Sequence, residues 1–119
     1  MARLPHLSSR VMEELDEMPE RPFLSVISLL EVSLLVAVGA VALDPSPEEW
    51  IRTASHPAAI RLAQLTREVA LELLKLPKSF QRDPADRIIV ATARALNIPV
   101  LTRDKQIRNS GLVKLWSAK

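Results

Sequence analysis

The chain contains no cysteine, no tyrosine and only two tryptophans and two phenylalanines among 119 residues. Without cysteine there are no disulfides and no thiolate metal sites, and the composition fits a reducing, cytoplasmic setting. With so few aromatic rings, the core has to be built from Leu, Val, Ile and Ala. These make up most of an apolar fraction of 48%, enough for one hydrophobic core in a single domain spanning residues 1–119. Strong charge is also missing. The formal net charge is +2, which permits nucleic acid as a partner without arguing for it. The two histidines, His6 and His56, have no companion at ligand spacing and are not candidate metal ligands. The opening residues MARLPHLSSRV hold no apolar stretch of the kind a secretory signal needs. An unbroken membrane span is lacking too. Residues 23–43, FLSVISLLEVSLLVAVGAVAL, are long enough to cross a bilayer, but Glu31 stands near the middle, where a carboxylate is costly. The run reads instead as a buried strand feeding a buried helix.

What is present is an alternation of strand-like and helix-like segments. LSSRVMEELDEMPERP reads as an amphipathic helix with Ser8 or Ser9 as cap, and its acids Glu13, Glu14, Asp16, Glu17 and Glu20 form a solvated face. FLSVIS is a continuous apolar run of strand length, followed by SLLEVSLLVAVGA, a helix with Gly39 near its end. Ser46 and Pro47 open a second helix in LDPSPEEWIRTASHP, on which Trp50 is expected to pack. AAIRLAQLT is a candidate strand, and TREVALELLKLP a helix ended by Pro77. In DPADRIIVATARALN, Pro84 takes the first helical position and Asn97 the end. IPVLTRD reads as a short buried strand and LVKLW as a final one. This order predicts an α/β architecture with a mainly parallel sheet covered by helices on both faces.

In such sheets, ligands collect beyond the C-terminal ends of the strands. Glu31 comes after the strand-like FLSVIS, Asp104 after IPVLT, and Asp86 lies in the first turn of its own helix. Two chemistries compete for these residues. SLLE matches a capping box, with Ser28 at the cap and Glu31 three residues on; DPAD places Asp83 at the cap and Asp86 in the third helical position. Capping explains both, and a loop explains Asp104. The other chemistry requires convergence. Carboxylates gathered in one cleft repel unless a cation neutralises them, and hard oxygen ligands suit Mg²⁺ or Mn²⁺. Arg82, Arg87 and Arg103 flank the acids and are candidate phosphate contacts, though an arginine beside an aspartate is commonly a surface ion pair.

Taken together, FLSVISLLEVSLLVAVGAVAL, PEEW and RDPADRIIVATARALNIPVLTRD resemble the PIN-domain family, most of all its VapC-type toxins of bacterial toxin–antitoxin pairs. The resemblance runs from about Leu7 to Asp104. It implies a three-layer α/β/α sandwich and an endoribonuclease that uses Mg²⁺ or Mn²⁺ to hydrolyse RNA phosphodiester bonds. The acid of the Ser-x-x-Glu element matches Glu31, the aspartate opening DRIIVATA matches Asp86, and the acid of Thr-x-Asp matches Asp104. These three would be the catalytic metal ligands. Asp83 belongs to the RDPADR form of the motif, as a helix cap standing behind them. The partners implied are RNA, a cognate antitoxin protein and a second copy of the chain, with no membrane.

One family element finds no match. The family opens with a central strand ending in aspartate, whereas MARLPHLSSRV resembles the loop and helix after that strand. The expectation is therefore a PIN-like fold without its N-terminal central strand, less stable than complete relatives and impaired in catalysis. The alternative is a catalytically inactive PIN remnant that serves as a binding or dimerisation module.

Overall fold

The computed structural model describes residues 20–44, 46–80 and 83–116. The helix expected ahead of Pro22 lies almost wholly outside the described residues, and so does Arg82. Two short strands, β1 (Phe23–Ser25) and β2 (Arg61–Ala63), pair in parallel with Phe23 opposite Arg61 and Ser25 opposite Ala63. Arg61 fastens this pair. Its guanidinium lies 4.0 Å from the centre of the Phe23 ring, its Nε donates to the Arg21 carbonyl at 2.8 Å, and it meets Glu20 at 3.4 Å.

The strand expected over FLSVIS stops at Ser25. Helix α1 (Val26–Ala37) begins immediately after it, because the Ser25 hydroxyl accepts the Ile27 N–H and caps the helix. Ser28 is therefore the third helical residue and not the cap, and Glu31 falls in the second turn; the capping box read from SLLE does not form. The far end closes as expected at Gly39. Its φ of +77° lets the Gly39 N–H reach the Val36 carbonyl and the Ala40 N–H reach the Leu35 carbonyl, satisfying two terminal acceptors. At 12 residues α1 cannot span a bilayer, and no helix among the described residues is long and apolar enough to do so.

Helices α2 (Pro47–Ala54) and α3 (Arg67–Lys75) start where Ser46 and Thr66 accept the N–H groups of Glu49 and Val69. Trp50 is half-buried on α2. Helix α4 (Pro84–Leu96) is bounded as the sequence implies. Asp83 caps it by accepting the Ala85 N–H at 2.9 Å, Pro84 takes the first position, and Asn97 ends it in the left-handed conformation at φ 54°. Beyond it, the expected strand over IPVLTRD shrinks to bridge residues at Val100 and Leu101, of which Val100 pairs in parallel with Leu115 and is bonded to Lys114 and Trp116. Pro99 has no N–H to extend that ladder. On the other side, Thr102 Oγ1 accepts the Asp104 N–H at 3.1 Å and turns the chain into a short helix, α5 (Lys105–Asn109). All strand pairing among the described residues is thus parallel, as an α/β fold requires, and it is held in two separate pieces.

Helix α4 forms the centre of the core. Ile89, Val90, Ala91, Thr92 and Ala93 are all essentially inaccessible. Val90 and Ala91 pack on one side with Val69, Leu76, Phe80 and Ile107, while Ile89 and Ala93 pack on the other with Val100, Phe23 and Ile27. Arg94 locks α3 and the following loop onto this helix. Its Nε donates to Glu72 Oε2 at 2.9 Å and its Nη1 to the Leu112 carbonyl at 2.8 Å.

Two of these contacts are open to direct test. The Arg94 hydrogen bond holds the Glu72 carboxyl below its ordinary value of 4.5, with Lys75 adding to the effect and partial burial opposing it. A depressed folded pKa contributes stability above the unfolded value and loses it as pH falls through the folded value. Replacing Glu72 by Gln should therefore lower Tm at neutral pH, and the deficit should shrink once the pH drops below 4.5, in thermal melts at matched ionic strength. Likewise, Asp83→Ala removes the α4 cap and should cost about 1 kcal/mol in denaturant unfolding. An unchanged midpoint would contradict the capping role.

Candidate active site

Asp86 occupies the third position of α4 and is only 5% exposed. It is buried because α4 runs straight into the core, and the positive end of the helix dipole favours a carboxylate in the first turn. Asp104 is not the loop residue expected from its position after a strand. It caps α5, accepting the Ile107 N–H at 3.0 Å, and is half-buried. Glu31 is half-buried in the second turn of α1. Asp83 is exposed and engaged as the α4 cap.

These acids share an anchorage. Ile27 packs against the cluster of Ile89, Ala93 and Val100. Glu31 lies four residues after Ile27 and Asp86 three residues before Ile89, spacings that place each acid on the same helix face as the core residue. Asp104 stands four residues beyond Val100, across the turn closed by Thr102. So α1, α4 and the Val100 segment, which carry the three acids, meet in one cluster. Among the described residues, no group of three or more His, Asp or Glu side chains is close enough to hold a metal ion.

The flanking arginines differ in their surroundings. Arg87 donates from Nη1 to the carbonyls of Phe80 at 2.8 Å and Pro77 at 3.2 Å, so it ties the turn after α3 to the start of α4. Arg103 is exposed beside Asp104. Arg82 lies outside the described residues.

Ser28, expected only as a cap, is 3% exposed with its hydroxyl lacking a hydrogen-bond partner, one turn before Glu31 on the same face of α1. Leaving such a group unsatisfied costs about 1–3 kcal/mol. The sequence signal for Ser28 is the Ser-x-x-Glu spacing, which also fits a cap. For Asp104 the signal is its residue type, since aspartate is a favoured cap.

The donor set consists of carboxylate and hydroxyl oxygens, which fits a hard divalent ion such as Mg²⁺ or Mn²⁺ in kind and gives a soft metal nothing to bind. Asp86 would be the most buried ligand of such a set, with Glu31 in the second turn of α1 and Asp104 at the start of α5.

Comparison with known proteins places this arrangement. The PIN domain family matches residues 5–111, which includes all three acids. Ribonuclease VapC22 of Mycobacterium tuberculosis is 32% identical over 108 residues, covering 90% of this chain and 78% of that protein. No solved structure gives a significant match. With nine-tenths of its length aligned to such a relative and parallel strands joined by helices, the chain belongs to the PIN-domain family, among proteins of the VapC type.

Proposed function

We propose that this chain is a VapC-like toxin that hydrolyses RNA phosphodiester bonds internally, with Glu31, Asp86 and Asp104 as the residues that hold Mg²⁺ or Mn²⁺. The observation that carries the reading is the tethering of three acids to one core cluster, with the innermost, Asp86, buried at the start of the most buried helix. Carboxylates brought together at one place repel one another unless a cation neutralises them. When bound, the ion would supply an activated water and neutralise charge building on the phosphate.

The protein's own residues have distinct parts in this reading. Helix α4 keeps Asp86 fixed because its neighbours cannot move without opening the core. Asp83 holds the first turn of that helix in place. The Ser28 hydroxyl, lacking a partner, is available to donate to a carboxylate or to a bound water. Exposed Arg103 would contact a substrate phosphate, while Arg87 is committed to the backbone of the 77–80 turn. The partners in this reading are RNA, a cognate antitoxin protein and a second copy of the chain. Exposed Leu30 and Leu34 on α1, with Val38 at its end, give a protein partner apolar surface to cover. The setting is cytoplasmic.

A second reading is favoured by one observation, the absence of a gathered ligand group among the described residues. In that reading the chain is a catalytically inactive PIN module that binds its protein partner without cutting RNA.

Metal and nuclease assays separate the two. For a nuclease, Mn²⁺ at a hundredfold excess over its Kd should stabilise the fold by about 2.7 kcal/mol, and RNA should be cut only with the metal present. Asp86→Asn should abolish both the stabilisation and the cutting while leaving the metal-free Tm at or above that of the unaltered chain. Intact RNA and an unmoved Tm in Mn²⁺ would establish the inactive module instead.

A further inference from the structure

A cavity of about 290 Å³ opens beside the segments that carry Asp86 and Asp104. One wall is α5, from which Gln106 and Asn109 face it; the opposite wall is the turn that contains Pro77 and Phe80. Both walls are linked to the candidate metal ligands. The α5 wall begins two residues beyond its cap, Asp104. The facing turn is held by Arg87, the residue next to Asp86, through its bonds to Pro77 and Phe80.

The lining carries no charge. Besides the two amides it offers Ser79 and Ser110, with Leu112 as an apolar floor. The Ser110 hydroxyl is already used, donating to Ile107 and accepting from Leu112. The Gln106 and Asn109 amides have no hydrogen bond within the described residues and stand three residues apart on one face of α5. Such a surface has no cation to draw a phosphate and suits a neutral planar group with adjacent donors and acceptors. Amide side chains pair with that pattern on a nucleobase edge, adenine above all. The volume sits near the lower limit of small-molecule pockets, about 300 Å³, which is room for one base and not for a length of chain.

We infer that this cavity, through Gln106 and Asn109, receives one unpaired base of the RNA strand whose phosphate a metal ion at Asp86 and Asp104 would hold, with adenine preferred. The inference rests on the nuclease reading for its substrate and extends that reading to sequence selection. It makes the two amides specificity determinants, reading the base edge while taking no part in bond cleavage.

The test uses the full chain, with binding and cleavage measured separately. Binding of fluorescent oligomers of adenosine, cytidine and uridine is followed in EDTA, and cleavage of an RNA pool of random sequence is mapped in Mn²⁺. The unaltered chain should prefer adenosine in binding and cut beside it. Loss of one bidentate amide–base pair reduces discrimination roughly tenfold, so Gln106→Ala with Asn109→Ala should flatten both preferences. Gln106→Glu keeps the side-chain volume, guards against loss of folding, and should shift preference from adenosine toward cytidine, whose amino group donates to a carboxylate. Cleavage with a base preference that these substitutions leave unchanged overturns the pocket and leaves the nuclease reading standing. Adenosine-selective binding that depends on the amides, without cleavage, upholds the pocket and removes the nuclease reading. No RNA binding by the unaltered chain overturns the pocket whether or not metal binds.

Discussion

Burial of helix α4 is the constraint on which the rest of the structure depends. Five successive residues, Ile89 to Ala93, are closed to solvent, so this helix is packed on all sides through its middle. A helix with only a narrow apolar stripe rests on one neighbour. Here the neighbours lie on both sides: α3 and Ile107 against Val90 and Ala91, and β1, α1 and Val100 against Ile89 and Ala93. Interiors are close-packed, so displacing α4 disturbs both clusters at once. Asp86 inherits that rigidity, being one turn from Ile89, and a ligand needs such rigidity more than any surface residue does.

The capping residues decide how the remaining acids are held. Asp83 and Asp104 both spend an oxygen on a helix N–H. For Asp104 this does not exclude a second role, because a carboxylate has two oxygens and several lone pairs. Capping fixes its orientation in the way a supporting hydrogen bond fixes a metal ligand. Glu31 is held differently. It lies beyond the first turn of α1, one turn after Ile27, which packs against the Ile89 cluster. The three acids thus differ in setting, from Asp86 in a core helix to Glu31 on a half-buried helical face.

Much of this is legible in the sequence where a local rule acts alone. The DPAD start, Pro84 and Asn97 delimit α4 because capping and φ preferences need no tertiary contact. Ser46–Pro47 and Gly39 mark their helix ends for the same reason. The boundary inside FLSVIS is not legible: Val26 and Ile27 are β-branched, and Ser25 and Ser28 are both competent caps. Only the burial of Ser25 against β2 decides between them. The five-residue helix after Asp104 is too short to leave a period, so that residue looks like loop. The attachment of Arg87 to the carbonyls of Pro77 and Phe80 is a tertiary contact, which composition and spacing do not record. The site is legible as residue types in order, while its anchorage to one cluster emerges only from packing.

In the proposed nuclease a divalent ion binds where the segments bearing Glu31, Asp86 and Asp104 meet around Ile27, Ile89 and Val100. Paramagnetic Mn²⁺ titrated into isotopically labelled protein tests it most directly, since the ion broadens the NMR signals of nuclei around it. Methyl signals of Ile27, Ile89 and Val100 should broaden first, and Asp86→Asn should remove the effect. Broadening centred instead on residues near Glu72 and Lys114, at the other end of α4, would contradict it.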